Sequence, residues 1–113
     1  MHEMGICQGI LTAATDAAER EGAARINSID VTIGELTQVV EDALQFAFEV
    51  LRQDTIAAGA TLTVTFLEPR SRCTECDTEF AHGRFDVHCP ECGSYVCDLV
   101  QGKELAIESI DID

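Results

Sequence analysis

The sequence predicts an α+β protein: a small three-stranded sheet with two helices on one face, and a cysteine-rich lobe inserted between two of the strands. Two observations support this fold class. Apolar residues recur at helical spacing in two segments and alternate with polar residues in others. Five of the six cysteines fall within residues 70–100, which hold few aliphatic residues. We therefore expect an α/β domain from residues 1–69 and 101–113, with residues 70–100 as the inserted lobe.

The first helix is expected over residues 4–21, and the first strand follows it. Gly22 comes directly after the periodic segment and is a typical C-terminal stop. Three apolar residues then alternate with polar ones over residues 29–33, which predicts a half-buried strand. The apolar positions of the helix are Cys7, Ile10, Leu11, Ala14, Ala17 and Ala18.

The helical period returns over residues 36–52, where Thr37 is a candidate N-cap. A short helical turn is expected over residues 55–58, and a second strand over residues 62–66, ending at Pro69. A third strand follows Gly102. Its apolar residues change phase between Ile107 and Ile110, which predicts a bulge near residues 108–109.

Charge and composition narrow the possible functions. The formal net charge of −14 should repel a phosphate backbone, so nucleic acid is not expected as a partner. The start of the chain has no basic region of the secretory kind, and no apolar run reaches membrane-spanning length. Paired CxxC motifs in this context indicate reduced, metal-binding thiols and a cytoplasmic location rather than disulfides or a membrane.

The four cysteines of the two CxxC motifs, Cys73, Cys76, Cys89 and Cys92, have the spacing of a zinc ribbon. Four thiolates close a tetrahedral zinc shell, and a closed shell is by default structural. Pro90 and Gly93 suit the tight turn of the second motif, Gly93 through a left-handed backbone. Iron in the same geometry and a pair of redox CxxC motifs are the alternatives.

The other two cysteines and two of the histidines have different expected positions. Cys97 is expected to be a buried strand thiol rather than an alternate ligand, and Cys7 a core residue of the first helix. His82 and His88 lie within the lobe, and the sequence leaves open whether either touches a metal.

The N-terminal residues form a second candidate metal site. The α-amine of Met1, the deprotonated amide of His2 and the His2 imidazole can chelate one ion in a plane, which nickel(II) and copper(II) favour. Glu3, another side chain or a partner protein would fill the fourth position. A terminus without function is the alternative interpretation.

Together these residues resemble the hydrogenase nickel-incorporation protein family (HypA/HybF). The resemblance covers roughly the whole chain. One departure is the segment Met4-Gly5-Ile6, where a Ser-containing segment is common and where Gly5 is expected to loosen the first helical turn. The matching motifs are Met1-His2-Glu3; Gly34-x-Leu36 before Leu44-Gln45-Phe46-Ala47-Phe48-Glu49; Gly59-Ala60-x-Leu62; the four ribbon cysteines; and Gly102-Lys103-Glu104-Leu105-x-Ile107-x-Ser109-Ile110.

The resemblance implies a nickel metallochaperone with a nickel domain and an inserted zinc domain. Nickel would be cargo, held at His2 with Met1 and Glu3, and zinc would be structural, held by the four cysteines. The implied recipients are the large subunit of a nickel–iron hydrogenase and in some cases urease, with a pathway GTPase as partner. The resemblance leaves open whether the chain is a monomer or a dimer.

No catalytic constellation is visible in the sequence, so an enzyme is not expected. The alternative function is a zinc-ribbon adaptor that binds proteins without nickel. A thiol redox enzyme is a second rival, which a zinc measurement on protein purified under reducing conditions would exclude.

Overall fold

The computed structural model describes residues 2–85 and 87–113. Two α-helices and two three-stranded sheets make up the fold, which confirms the α+β class. Along the chain the elements are α1 (His2–Arg20), β1 (Ile26–Gly34), a 3₁₀ turn (Glu35–Thr37), α2 (Glu41–Leu51), β2 (Thr61–Leu67), β3 (Arg70–Cys73), β4 (Glu79–Ala81), β5 (Cys97–Gln101) and β6 (Leu105–Ile112).

Helix α1 ends at the glycine predicted to stop it. Gly22 has a φ of 73°, its N–H donates to the carbonyl of Glu19, and the N–H of Ala23 reaches back to the carbonyl of Ala18. This pair of bonds satisfies the last helical carbonyls and needs a left-handed residue at the glycine position. The helix also runs without interruption through Gly5. Its buried positions are Glu3, Cys7, Ile10, Leu11, Ala14 and Ala18.

Helix α2 begins later than the sequence predicts. The expected start near residue 36 and the N-cap at Thr37 are wrong, because Gln38 adopts a left-handed φ of 63° and separates a 3₁₀ turn from the α-helix. Val40 holds the N-cap position instead. The Thr37 hydroxyl donates to the Gly34 carbonyl at 2.8 Å, so it closes the 3₁₀ turn rather than capping a helix. Residues 55–58 form hydrogen-bonded turns, not a helix.

The first sheet has the strand order β2-β1-β6. The strands before and after the cysteine-rich segment, β2 and β6, are thus both neighbours of β1. In β2 the threonines are exposed, whereas Leu62 is buried, as period-2 alternation predicts. In β6, Ile107, Ile110 and Ile112 are half-buried, so the burial pattern changes phase as the sequence indicates. The bulge itself stays a prediction.

The second sheet, with order β4-β3-β5, was not predicted from sequence. Strand β3 pairs with both neighbours in antiparallel fashion, and its pairing with β5 is irregular between Arg70 and Ser71. The three strands are short, and polar residues predominate in β3, which removes the periodicity that would reveal a strand.

The chain divides into two compact units. One contains Met1–Thr32, Val39–Thr65 and Ala106–Asp113, and includes both α-helices, which pack against each other. The other contains Ile33–Gln38 and Phe66–Leu105, and includes the second sheet. Among the described residues, no helix has both the length and the apolar character needed to span a membrane.

Two glycines in the second unit bring their backbones together. A Cβ added to Gly34 would lie 2.0 Å from the carbonyl carbon and oxygen of Gly102. The N–H of Gly34 donates to Glu104 O and the N–H of Leu36 to Gly102 O, both at 2.8 Å. Gly102 itself has a φ of 135°, where side chains are rarely tolerated. This close approach explains why glycine occupies both positions.

Candidate metal centres

Two similar turns present the four ribbon cysteines. In the first, Cys73 N–H donates to Thr78 O and Asp77 N–H donates to Cys73 O, both at 2.9 Å. In the second, the same bonds at the same distances join Cys89 with Ser94 and Gly93. Each turn passes through a left-handed residue, Asp77 at φ 63° and Gly93 at φ 78°. The left-handed backbone predicted for Gly93 is confirmed.

The structure brings all four sulfur atoms together, within 4.8 Å of one another. Cys73 Sγ lies 3.6 Å from Cys92 Sγ, and Cys76 Sγ lies 3.5 Å from Cys89 Sγ. Zinc–sulfur bonds of about 2.3 Å in a tetrahedron place neighbouring sulfurs about 3.8 Å apart. The donor set and its spacing therefore fit a structural zinc ion.

The environment of two of these thiols favours metal-binding thiolates. Hydrogen bonds from Thr78 lower the pKa of the Cys76 thiol to about 7, so that it ionises readily near neutral pH. The backbone N–H of Glu75 donates to Cys73 Sγ at 3.4 Å, as expected for an amide that stabilises a thiolate. All six cysteines are free of disulfides.

Burial divides the four cysteines into two kinds. Cys73 and Cys89 are 0% and 1% exposed and form a small apolar cluster with Phe80, whereas Cys76 and Cys92 are exposed. Each turn thus contributes one buried and one exposed sulfur.

The remaining sulfur and imidazole groups lie outside this set of ligands. Cys97 lies on strand β5, as expected, but it is half-buried rather than buried, and it packs against the Cys73 cluster. His82 bonds to Ser71 Oγ through Nε2 and to the Gly83 carbonyl through Nδ1, each at 2.7 Å. The ring of His88 lies 5.6 Å from that of Tyr95. In the described part of the chain, the four cysteines are the one group of three or more potential metal ligands close enough together to share an ion.

Cys7 is a core residue, as predicted. It is fully buried on α1, and burial raises the pKa of its thiol to about 11. Such a thiol is a packing group and not a metal ligand.

The second candidate centre lies at the start of α1. His2 is the first residue of this helix, and its side chain is 51% exposed. His2 Nδ1 lies 3.6 Å from Glu3 Oε1. Met1, the other predicted nickel donor, falls outside the described residues.

Glu3 is held in a way that the sequence did not reveal. It is buried, and its Oε2 accepts a 3.0 Å hydrogen bond from the N–H of Val40, the N-cap of α2. This bond is the main reason that the pKa of Glu3 lies below its ordinary value. Glu3 therefore carries a negative charge beside His2, with Oε1 directed toward the imidazole.

Comparison with known proteins identifies the family. The family model described as hydrogenase/urease nickel incorporation, metallochaperone, HypA matches residues 1–112. The chain belongs to this family. The family is one of metallochaperones and maturation factors, so the expectations of a nickel-handling protein and of a protein that is not an enzyme are confirmed.

Relatives from three organisms match over the whole chain. Hydrogenase maturation factor HypA of Alkalilimnicola ehrlichii is 38% identical over 114 residues, with full coverage of both chains. The proteins of the same name from Chlorobium luteolum and Dehalococcoides mccartyi strain CBDB1 are 39% and 38% identical, covering this chain fully and 97% and 95% of theirs.

Solved structures support the fold. The solution structure of the Ni metallochaperone HypA from Helicobacter pylori superposes with a TM-score of 0.68 at 21% identity, covering 97% of this chain and 96% of that one. A second solution structure, of HypA protein, gives a TM-score of 0.75 at 24% identity, with coverage of 99% and 96%. Both similarities cover nearly the whole of this chain.

Proposed function

We propose that this chain binds nickel(II) at its N-terminus and delivers it for the maturation of a nickel–iron hydrogenase, or of urease. The proposed nickel donors are His2, the α-amine of Met1, and Glu3. The observation that carries the proposal is the position of His2, an exposed imidazole in the first turn of α1 beside the ionised Glu3, in a member of a nickel metallochaperone family.

The helix start suits the deprotonated amide that a planar nickel site needs. The first four N–H groups of an α-helix have no intrahelical partner. Because α1 begins at His2, its amide can lose a proton without breaking a helical hydrogen bond. Deeper in the helix, the same step would cost one backbone bond.

The local charge also favours a cation. The N-terminus of a helix carries a partial positive charge, which would oppose nickel binding. The ionised Glu3 carboxylate and the deprotonated amide each contribute a full negative charge and outweigh this partial charge. The strongly acidic chain, with a net charge of −14, adds attraction at longer range.

We also propose that residues 70–100 form a zinc-ribbon domain inserted into a nickel domain of residues 1–69 and 101–113. Cys73, Cys76, Cys89 and Cys92 would hold its zinc. Support comes from the sulfur spacing and from the small apolar cluster, in which Phe80 is the one fully apolar side chain among the buried members. Apolar burial on this scale cannot order thirty residues, whereas metal binding can.

Hydrogenase maturation requires other proteins of the same machinery. We propose a GTPase and the hydrogenase large subunit as partners, because the sequence has no Walker-type phosphate-binding loop and must obtain GTP hydrolysis elsewhere. A cytoplasmic location is proposed from the metal-ready, disulfide-free thiols.

The test is a nickel titration of the zinc-loaded chain by calorimetry, compared with His2→Ala. Nickel binding with planar-site absorption bands should be lost in that variant and retained in the matched control His88→Ala, which removes a histidine elsewhere. An N-terminal tag should abolish the planar site, although every side chain remains. Equal nickel affinity in the chain and in His2→Ala would disprove the proposed site.

A further inference from the structure

Cys97 lies directly opposite the zinc-site residue Cys73. In the β3–β5 pair, Cys73 is registered with Cys97, and Thr74 N–H donates to Val96 O at 3.0 Å. The backbone N–H and carbonyl of Cys73 both form hydrogen bonds within its own turn: the N–H donates to Thr78 O, and the carbonyl accepts from the N–H of Asp77. Cys73 and Cys97 are therefore a non-hydrogen-bonded pair, the kind in which facing side chains are closest.

This position matches the geometry of a disulfide bond. Opposed residues of a non-hydrogen-bonded antiparallel pair have Cα atoms about 4.5 Å apart. Disulfides span Cα distances of about 4.4–6.8 Å. Cys97 also packs against the cluster that contains Cys73, so both side chains are on the same side of the sheet.

We propose that Cys73 and Cys97 form a reversible disulfide under oxidation by hydrogen peroxide, and that this bond releases the zinc ion. The inference does not depend on nickel binding. It assigns to the fifth cysteine of the lobe a role as the resolving thiol for a zinc ligand.

The oxidant enters through an exposed ligand. The Cys92 thiolate, which is exposed, reacts with hydrogen peroxide to give a sulfenic acid and hydroxide. The Cys73 thiolate, whose sulfur is 3.6 Å away, attacks this sulfenic sulfur, forms a disulfide and expels a second hydroxide. Cys97 gives its proton to one hydroxide and attacks Cys73 Sγ, which frees Cys92 as a thiolate. In sum, one thiolate, one thiol and one peroxide give a disulfide, one water and one hydroxide.

Oxidation exchanges one crosslink for another. Once Cys73 is in a disulfide, three thiolates remain, and the closed tetrahedral shell is lost. The covalent bond meanwhile keeps β3 and β5 in register, because it joins residues that are already paired. A reductant can therefore restore the site without re-pairing the strands.

The test treats the zinc-loaded full chain with excess hydrogen peroxide, follows zinc with a chromogenic chelator, and maps disulfides by alkylation and peptide mass spectrometry. The expected result is zinc release together with a Cys73–Cys97 peptide, both reversed by dithiothreitol and added zinc. In Cys97→Ala the Cys73–Cys97 crosslink is lost, and the disulfide joins Cys73 to Cys92 instead. Cys7, buried in the other unit, should remain unmodified as an internal control.

Two results would overturn the proposal. In the first, the disulfides of the unaltered chain join only the four ligands, and Cys97 stays open to alkylation throughout. In the second, dithiothreitol and added zinc fail to restore the zinc-loaded chain. Neither result needs a variant, so the proposal stays testable even if Cys97→Ala folds poorly.

Discussion

Replacing Gly34 by alanine should destabilise the chain strongly, although the change adds one methyl group. The new Cβ would meet the backbone of Gly102 at 2.0 Å and the N of Lys103 at 2.4 Å, where ordinary contact begins at 3.4 Å. Backbone atoms cannot rotate away as a flexible side chain can. The two segments must therefore move apart by about 1.4 Å, the shortfall from ordinary contact.

That movement breaks two hydrogen bonds and therefore lowers the free energy of unfolding. The bonds from Gly34 N–H to Glu104 O and from Leu36 N–H to Gly102 O, both 2.8 Å long, would stretch beyond hydrogen-bonding distance. Each contributes about 0.5–1.5 kcal/mol, and overpacking adds about 1–3 kcal/mol. The expected loss is about 2–6 kcal/mol, a large part of the stability of a small protein.

The assay is urea unfolding followed by far-UV circular dichroism, with Gly9→Ala as the matched control. Gly9 is exposed in the middle of α1, and an added Cβ there meets nothing within 4 Å. The same substitution should stabilise at this site by about 1 kcal/mol, because alanine favours helices over glycine. A Gly34→Ala protein within about 0.5 kcal/mol of the unaltered chain would refute the reasoning, since surface substitutions alone cause changes of that size.

Four further outcomes are expected. Cys76→Ser should lose zinc and the order of residues 70–100 while keeping its helical circular dichroism. The control Cys97→Ala should keep its zinc. Retention of zinc by Cys76→Ser would contradict the assignment of Cys76 as a zinc ligand. Cys7, whose pKa burial raises to about 11, should resist iodoacetamide at pH 8 until urea unfolds the chain, and modification of the folded chain would contradict its burial. The Arg25 guanidinium, which donates to Asp113 at 2.8 Å, holds the pKa of that carboxyl below its ordinary value. This pair therefore stabilises the fold at pH values above the ordinary pKa of a carboxyl group, and the stabilisation is lost as pH falls through the lowered pKa. Acid unfolding should accordingly lose part of its pH dependence in Arg25→Gln. Identical acid unfolding profiles of the two proteins would show that the pair contributes nothing. Nickel affinity should fall steeply between about pH 8 and pH 6, because the nitrogen donors must first lose their protons; a flat titration would exclude nitrogen ligation.

The elements that the sequence predicts are those with strong local signals. Helix α1 has an apolar stripe and a glycine stop, and the ribbon cysteines have a spacing that only a few metal sites share. The start of α2 could not be predicted, because nothing in the sequence distinguishes Gln38 as a left-handed residue. Strands β3 and β4 of the second sheet are short and give no periodic signal.

Long-range contacts escaped sequence reasoning for a different reason. The Glu3–Val40 bond and the Gly34–Gly102 approach join residues far apart in the chain. Tertiary structure creates them, and no local pattern encodes them. For Cys97 a signal did exist. Its alternation with Leu99 marks a strand, and pairing that strand with the one that ends at Cys73 would have placed the two thiols opposite each other.

The hydrogen bond from Val40 to Glu3 has a consequence for how tightly a metal can be held next to it. A free terminus must give up backbone freedom when it wraps an ion, at about 1–2 kcal/mol for each residue ordered. His2 and Glu3 are already helical, and Glu3 is tied to the start of α2. For these two residues the entropy was lost when the protein folded, so about 2–4 kcal/mol need not be taken from the binding energy. Since each 1.4 kcal/mol is about a factor of ten in affinity, the proposed nickel site should bind roughly thirty to a thousand times more tightly than the same three residues in a disordered peptide.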